Sequence, residues 1–254
     1  MSASFLSDPA PYASYQNTAV VSTDRSIPLP APAEKAGWVE GVSRRWHRER
    51  RRRKVGRAYD MALEIARLLP LSSSVLDVGC GNGYITHHLS ALLGTRVLGM
   101  DVNEAVEAPV DFRRFNGREF PIDDHSFDAA LFCYVLHHAQ DLETLLSELR
   151  RVLRDGGSAI VYEDIPARWW DRVVCRVHDL KWRKRTGPCT FRSEFVWREI
   201  FAENGFEVVK EKQLSRWRNL AHPVARRLFV LRRGDIEKKT VGDESWPATA
   251  GWTI

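Results

Sequence analysis

Asp77, Gly79, Gly81 and Gly83 fall within seven residues, in the run Val75-Leu76-Asp77-Val78-Gly79-Cys80-Gly81-Asn82-Gly83-Tyr84. Glycines at such spacing let a backbone turn closely against a ligand where any Cβ would collide. The carboxylate upstream of them suits an ammonium group and repels phosphate. A dinucleotide-binding turn reads GxGxxG and aims a helix N-terminus at a pyrophosphate, whereas this loop reads GxGxG. A nicotinamide-dependent oxidoreductase is the disfavoured reading of the loop.

Other groups able to do chemistry stand at the ends of apolar runs. Asp101 closes RVLGMD eighteen residues after Gly83, where it can bind a ligand or cap the turn before Asn103. His137 and His138 follow AALFCYVL, and Glu163 and Asp164 end SAIVYEDI. By position His137, His138 and Glu163 are candidate acid–base groups, with Tyr134 and Asp164 as orienting groups; a strand-end or helix-entry hydrogen bond is the competing role for each. His87 and His88, in the stretch after the loop, read as surface residues.

The elements that must position these groups alternate short β-rich runs with helical stretches. VLDV, a helix to Leu93, RVLGMD, DFRRF, AALFCY, a helix to Leu153 and SAIVYEDI come in turn, followed by a helix over 193–203, FEVVKEKQL and ARRLFVLRR. This pattern predicts an α/β, doubly wound, mostly parallel sheet of seven strands with helices on both faces. No convincing helix separates the last two strands, so strand seven is expected antiparallel beside strand six. In such sheets ligands gather beyond the carboxyl ends of the strands where strand order switches, which would bring Gly79, Asp101, His137 and Glu163 to one rim.

From Val75 to Arg232 the chain resembles the class I S-adenosylmethionine (SAM)-dependent methyltransferases, with their Rossmann-like fold. The likeness is to the broad type 11 subfamily that includes ubiquinone and menaquinone biosynthesis methyltransferases, and it rests on the DVGCGNG loop, Asp101, Ser126-Phe127-Asp128, Asp155-Gly156-Gly157 and Asn204-Gly205-Phe206. The resemblance implies that Asp77, Gly79, Cys80, Gly81 and Gly83 wrap the methionine part of SAM. It implies further that Asp101 and Val102 hold the ribose, Asn116 and Gly117 flank the adenine, and Phe132 and Cys133 pass beneath the sulfonium. Asn116 stands where an acid is usual; its amide oxygen is expected to accept from adenine without charge assistance. Pro109 breaks the short stretch after Asp101, so the usual helix between strands two and three is expected to shrink to a turn.

Methyl transfer from a sulfonium is an in-line displacement in which the protein aligns the reactants and excludes water, with no metal required. The implied enzyme is a SAM-dependent methyltransferase with SAM as co-substrate, no metal, and a small-molecule or lipid-like acceptor. An RNA methyltransferase and a non-catalytic SAM-binding protein are the alternatives.

At 254 residues, 44% hydrophobic and 28% charged, the chain suits one domain with extensions. No apolar run reaches membrane-span length, and Met1 to Pro11 have no secretory character, so a cytoplasmic protein without an integral membrane segment is expected. Cys80, Cys133, Cys175 and Cys189 lack metal-site or disulfide spacing and read as reduced, mostly buried thiols. Residues 1–36, with five prolines and no periodicity, read as a disordered leader, 37–58 as a basic amphipathic segment and 59–233 as the methyltransferase domain. The remaining 234–254 read as a polar tail. Arg44 to Arg57 holds nine Lys/Arg against one Glu, a net +8 in a chain whose total is +5, so the remainder is net −3. Such a segment suits an anionic membrane surface or RNA, a solvated helix face being the alternative. Within the domain, 166–190 is an insertion in which Trp170, Val173, Val174, Val177 and Leu180 form an apolar stripe among Arg and Lys. It reads either as an acceptor-side lid that can touch a membrane or as a helix packed on the sheet.

Overall fold

The computed structural model describes residues 38–71, 73–220 and 222–234, with side chains from residue 43 onward. The leader and the tail beyond Gly234 lie outside the described residues. Seven strands form one sheet in the order β3-β2-β1-β4-β5-β7-β6. They are β1 (Val75–Val78), β2 (Val97–Asp101), β3 (Asp111–Arg114), β4 (Phe127–Cys133), β5 (Leu153–Asp164), β6 (Phe206–Leu214) and β7 (Arg226–Arg233). β1 to β5 pair in parallel, and β7 runs antiparallel to both β5 and β6, between which it is inserted. The connection from β2 to β3 is a turn without a helix, as Pro109 requires.

The helices are α1 (Trp38–Ala66), α2 (Tyr84–Leu93), α3 (Leu142–Val152), α4 (Trp169–Thr186) and α5 (Glu194–Glu203). Successive strand residues serve opposite faces of the sheet. Phe132 and Val161 belong to a core shared with Leu145 and Leu149 of α3 and Trp197 and Phe201 of α5. Leu131 and Ile160 belong to another, shared with Ala62 and Ile65 of α1 and Leu89 and Leu93 of α2. Burial on both faces is why β1 and the middle of β4 are continuously buried rather than alternating, Asp77 being the one charged residue among them.

α1 is one helix of 29 residues that runs without a break from the basic segment across 58/59 into the domain. Arg and Lys are good helix formers, and Glu49 pairs with Arg53 one turn on, so nothing in the basic run breaks the helix. Residues 43–50 are exposed, whereas Val55, Ala58, Ala62 and Ile65 recur at helical spacing and are buried. Glu64 receives hydrogen bonds from Tyr162, Lys212 and Arg218, which ties α1 to the far half of the sheet. Ser74 is tied to Asp128 through its backbone N–H at 2.8 Å and its hydroxyl at 2.7 Å, locking the starts of β1 and β4 together.

Two surface expectations need correction. His88 is buried, edge-on to Tyr59 at 5.4 Å, and burial, with the neighbouring His87, lowers its pKa to about 4; His87 is half-buried. Of the four free cysteines only Cys175 is buried, the other three being half-buried. No helix among the described residues is long and apolar enough to cross a membrane.

Candidate active site

Strand order reverses direction between β1 and β4, so the loops leaving their carboxyl ends part there and open a crevice. A cavity of about 850 Å³ lies at this point. Its floor is the glycine loop and the end of β4, and α1 and α4 supply walls. Gly79 holds φ 73°, and a Cβ there would stand 2.5 Å from Val135 Cγ2, so the two loops touch only because residue 79 is glycine. Tyr134, at the end of β4, also has positive φ (64°), which is strained for an aromatic residue and is fixed by its N–H donating to the Tyr162 carbonyl at 2.8 Å.

Asp77, Gly79, Cys80, Gly81 and Cys133 of the expected cofactor site line the cavity. The Asp77 carboxylate is buried beside it and accepts from Thr86 Oγ1 at 2.7 Å. Burial raises its pKa to about 7; the Thr86 hydroxyl opposes the shift and Asp101 adds to it. An acid in this condition is half-charged near neutrality and becomes fully charged against a cation. Cys80 is unreactive by the same physics, since burial and then the charges of Asp77 and Asp101 push its thiol far above the ordinary value.

Gly83, Asp101, Val102, Asn116, Gly117 and Phe132 are not on the cavity wall. Gly83 is the left-handed N-cap of α2 and is packed under Val110 and Val106. Phe132 is fully buried in the core and has no surface to offer a ligand. Asp101 does cap a turn, accepting from Asn103 N at 2.9 Å, and its other oxygen accepts from Gly81 N at 2.9 Å. The acid that closes β2 therefore also holds the glycine loop; Oδ1 takes a second donor from Asn103 Nδ2 at 3.5 Å, and Oδ2 keeps a lone pair for a further donor. The Asn116 amide oxygen accepts from Arg118 N at 2.9 Å and Glu119 N at 2.8 Å and so is engaged in the local turn.

Of the acid–base candidates, His137 lines the cavity, with Glu163 behind it. His137 Nδ1 lies 2.7 Å from Glu163 Oε2, and Glu163 Oε1 accepts from Leu136 N at 2.7 Å. Both side chains are buried. Burial disfavours the charged imidazole, but the Glu163 carboxylate outweighs it and raises the His137 pKa above its ordinary value. His138 is turned to α4, with Nδ1 at 3.0 Å from Thr186 Oγ1. Asp164 pairs with His222 at 2.9 Å and Arg226 at 3.0 Å; burial works against its charge, yet these partners hold its pKa below the usual range.

His178 and Trp182 of α4, and Arg218, His222 and Arg226 near the start of β7, also line the cavity, as do Lys54 and Arg57 of α1. None of these stood out in the sequence as a site residue. The one available signal was in α4, where Asp171, Cys175, His178, Asp179 and Trp182 share a helical face opposite the apolar stripe. That polar face is the inner one. Asp171 is buried against Arg216 at 3.1 Å, and Asp179 accepts from Cys189 N at 2.9 Å. Most of the stripe points outward, Trp170 being 48% exposed, Val173 47% and Leu180 60%, whereas Val174 is half-buried and it and Val177 line the edge of the cavity.

The sheet order, the glycine loop at the β1/β4 switch and the acid closing β2 are those of the class I methyltransferase fold. Residues 76–161, about a third of the chain, match the family model described as a methyltransferase domain. The chain is 39% identical over 94 residues to a probable S-adenosylmethionine-dependent methyltransferase of Mycolicibacterium smegmatis, covering 34% of this chain and 36% of that protein. It is 28% identical over 173 residues to 24-methylenesterol C-methyltransferase 2 of Arabidopsis thaliana, covering 61% of this chain and 47% of the relative. A tRNA U34 carboxymethyltransferase of Nautilia profundicola is 28% identical over 139 residues, covering 50% and 46%. The chain thus spans between about a third and a half of the length of these relatives. The fold is shared with a SAM-dependent methyltransferase structure from Methanosarcina mazei at a TM-score of 0.54 and 18% identity, over 67% of this chain and 96% of that one.

Proposed function

We propose that this protein transfers the methyl group of SAM to a small, lipid-like acceptor bound under α4. The observation that carries the reading is the cavity itself. It joins a buried carboxylate and an open glycine loop at one end to the His137–Glu163 pair and the α4 wall at the other. In this reading Asp77 faces the amino group of the methionine part, and the backbone of Gly79 to Gly81 lies along it. Asp101 receives a ribose hydroxyl on the remaining lone pair of Oδ2. An acid placed at the sulfonium would favour the ground state, because positive charge leaves sulfur as the methyl group departs; Asp77 therefore belongs at the ammonium. For an acceptor that must lose a proton, His137 Nε2 takes it on the cavity side while Glu163 holds the ring through Nδ1.

α4 supports the lipid-like acceptor. A helix that hides acids and a histidine and shows Trp170, Val173, Val177 and Leu180 to the outside, beside Arg172, Arg176, Lys181 and Lys184, has the make-up of an interfacial helix. The exposed Arg44–Arg50 end of α1 favours a second reading, an RNA acceptor held by phosphate contacts. Incubation with methyl-labelled SAM and, separately, bilayer lipid extract or total RNA tests both. Label in an organic-extractable small molecule is the expected result; label confined to RNA overturns the lipid-like reading. Replacing Arg50, Arg51, Arg52 and Arg53 together by Gln is expected to leave SAM affinity near wild type while lowering sedimentation with anionic vesicles, by a margin that shrinks as salt rises.

Asp101→Ala is expected to weaken SAM binding by roughly 1–3 kcal/mol, through lost ribose contacts and release of the Gly81 amide. Titration calorimetry measures it. Unchanged affinity would reduce Asp101 to a turn cap.

A further inference from the structure

His137, His138 and His178 come together from two separate parts of the chain, the loop after β4 and the inner face of α4. One ring nitrogen from each lies within 4.8 Å of the other two. We propose that these three histidines form a binding site for a divalent transition-metal ion of the zinc type. Three nitrogens held tetrahedrally at 2.0–2.1 Å from one ion stand about 3.4 Å apart. His138 Nε2 and His178 Nε2 are already 3.4 Å apart. The third ligand needs a shift on the order of 1 Å, within reach of side-chain rotation and tightening of α4.

The surroundings fix the lone pairs in the direction an ion needs. His137 Nδ1 is engaged by Glu163, and its Nε2 is buried with no hydrogen-bond partner. That pairing is the carboxylate–histidine arrangement found behind metal-bound imidazoles, which orients the ring and makes the free nitrogen more basic. His138 Nδ1 faces Thr186 Oγ1, whose own hydroxyl reaches the Trp182 carbonyl at 3.4 Å. With the Thr186 oxygen, and the Cys189 sulfur at 3.3 Å, placed to accept from Nδ1–H, His138 Nε2 keeps its lone pair for the ion. Phe191 stacks on His137 at a centroid distance of 4.8 Å and an interplanar angle of 21°, which limits rotation of that ring.

His137 and His178 both line the cavity, so a fourth position faces the space assigned to the acceptor. Three protein ligands with one open position is the pattern of a catalytic rather than a structural zinc ion. An acceptor oxygen or nitrogen bound there would lose its proton more readily, and His137 Nε2, committed to the ion, would no longer take it. The ion would also pin α4 to the β4 loop. The inference rests on the geometry of the cluster; it shares the acceptor end of the cavity with the methyl-transfer reading but not the SAM end at the glycine loop.

The test uses untagged full-length protein stripped with a chelator. Titration calorimetry with Zn²⁺ is expected to give one site, and Co²⁺ the intense visible bands of a tetrahedral complex. His178→Ala is expected to lower Zn²⁺ affinity by at least about 100-fold, and Thr186→Val by roughly 10- to 100-fold through the second shell. Circular dichroism of both variants checks that the fold is kept; His178→Gln replaces His178→Ala if that protein fails to fold. Zn²⁺ binding of equal strength in the His178 variant, or no binding by the wild type, overturns the site and leaves the three rings as a hydrogen-bonded chain. Stabilisation by SAM is read separately, so failure of the metal site and failure of the methyltransferase reading give different results.

Discussion

Asp77→Asn is expected to weaken SAM binding at pH 8 by about 1.5–3 kcal/mol, roughly 10- to 150-fold, the range for losing a hydrogen bond to a charged partner. The pH dependence is the sharper sign. With a pKa of about 7 in the free protein, Asp77 must give up its proton to face an ammonium group when the pH is lower. Wild-type affinity should therefore climb about tenfold per pH unit from 5 toward 7 and level off above, while the Asn variant stays flat. Calorimetry in two buffers of different ionisation enthalpy should detect up to one proton released at pH 6. Stability moves the other way. The folded pKa is raised above the ordinary 3.8, so the ligand-free protein binds this proton more tightly than the unfolded chain does. The contribution is most favourable below pH 4 and is lost as pH rises through 7, at up to about 1.4 kcal/mol per unit. Subtracting the Asp77→Asn profile isolates it. A wild-type affinity independent of pH between 5 and 8 would move the ammonium away from Asp77.

Glu163→Ala carries the largest expected cost to the fold. The carboxylate is the buried partner of both Leu136 N–H and His137 Nδ1, so its removal strands two donors in the interior. Each stranded donor costs about 1–3 kcal/mol, for a loss of roughly 2–6 kcal/mol. At about 2–4 °C per kcal/mol for a domain of this size, Tm should fall by roughly 4–24 °C. Glu163→Gln retains an acceptor for one donor and should lose less than half as much. Turnover should drop in both variants through misplacement of His137, since Glu163 acts as a positioning residue. A Tm within 2 °C of wild type for the Ala variant would show that the pair carries little.

The strands and the glycine loop were legible because they are local patterns. Four buried residues of β1 run straight into the loop, and the acid at the end of β2 sits at readable spacing from Gly83. The antiparallel β7 could be read from the missing helix before it, although its insertion between β5 and β6 depends on packing. α4 shows the limit of periodicity. The sequence gives two helical faces without saying which is covered, and the usual preference for covering the apolar one fails here. The polar face turns inward because it has partners there, Arg216 for Asp171 and the Cys189 amide for Asp179. His178 could not be placed beside His137 and His138 before that orientation was known, forty residues separating it from His138. Asn116 is a related case: its type suits adenine, but a short turn engages its oxygen. His88 looked polar and exposed, and tertiary docking of α1 beside it leaves it buried.

Thermal unfolding with separate ligands tests the central assignment most directly. A ligand that binds only the folded state adds about 2.7 kcal/mol at 100 times its Kd, which for a domain of this size is roughly 5–10 °C. SAM and S-adenosylhomocysteine should each raise Tm by that amount with rising concentration, while NAD(H) and NADP(H) leave it unchanged. Stabilisation by a nicotinamide nucleotide, with none from SAM or S-adenosylhomocysteine, would contradict the assignment.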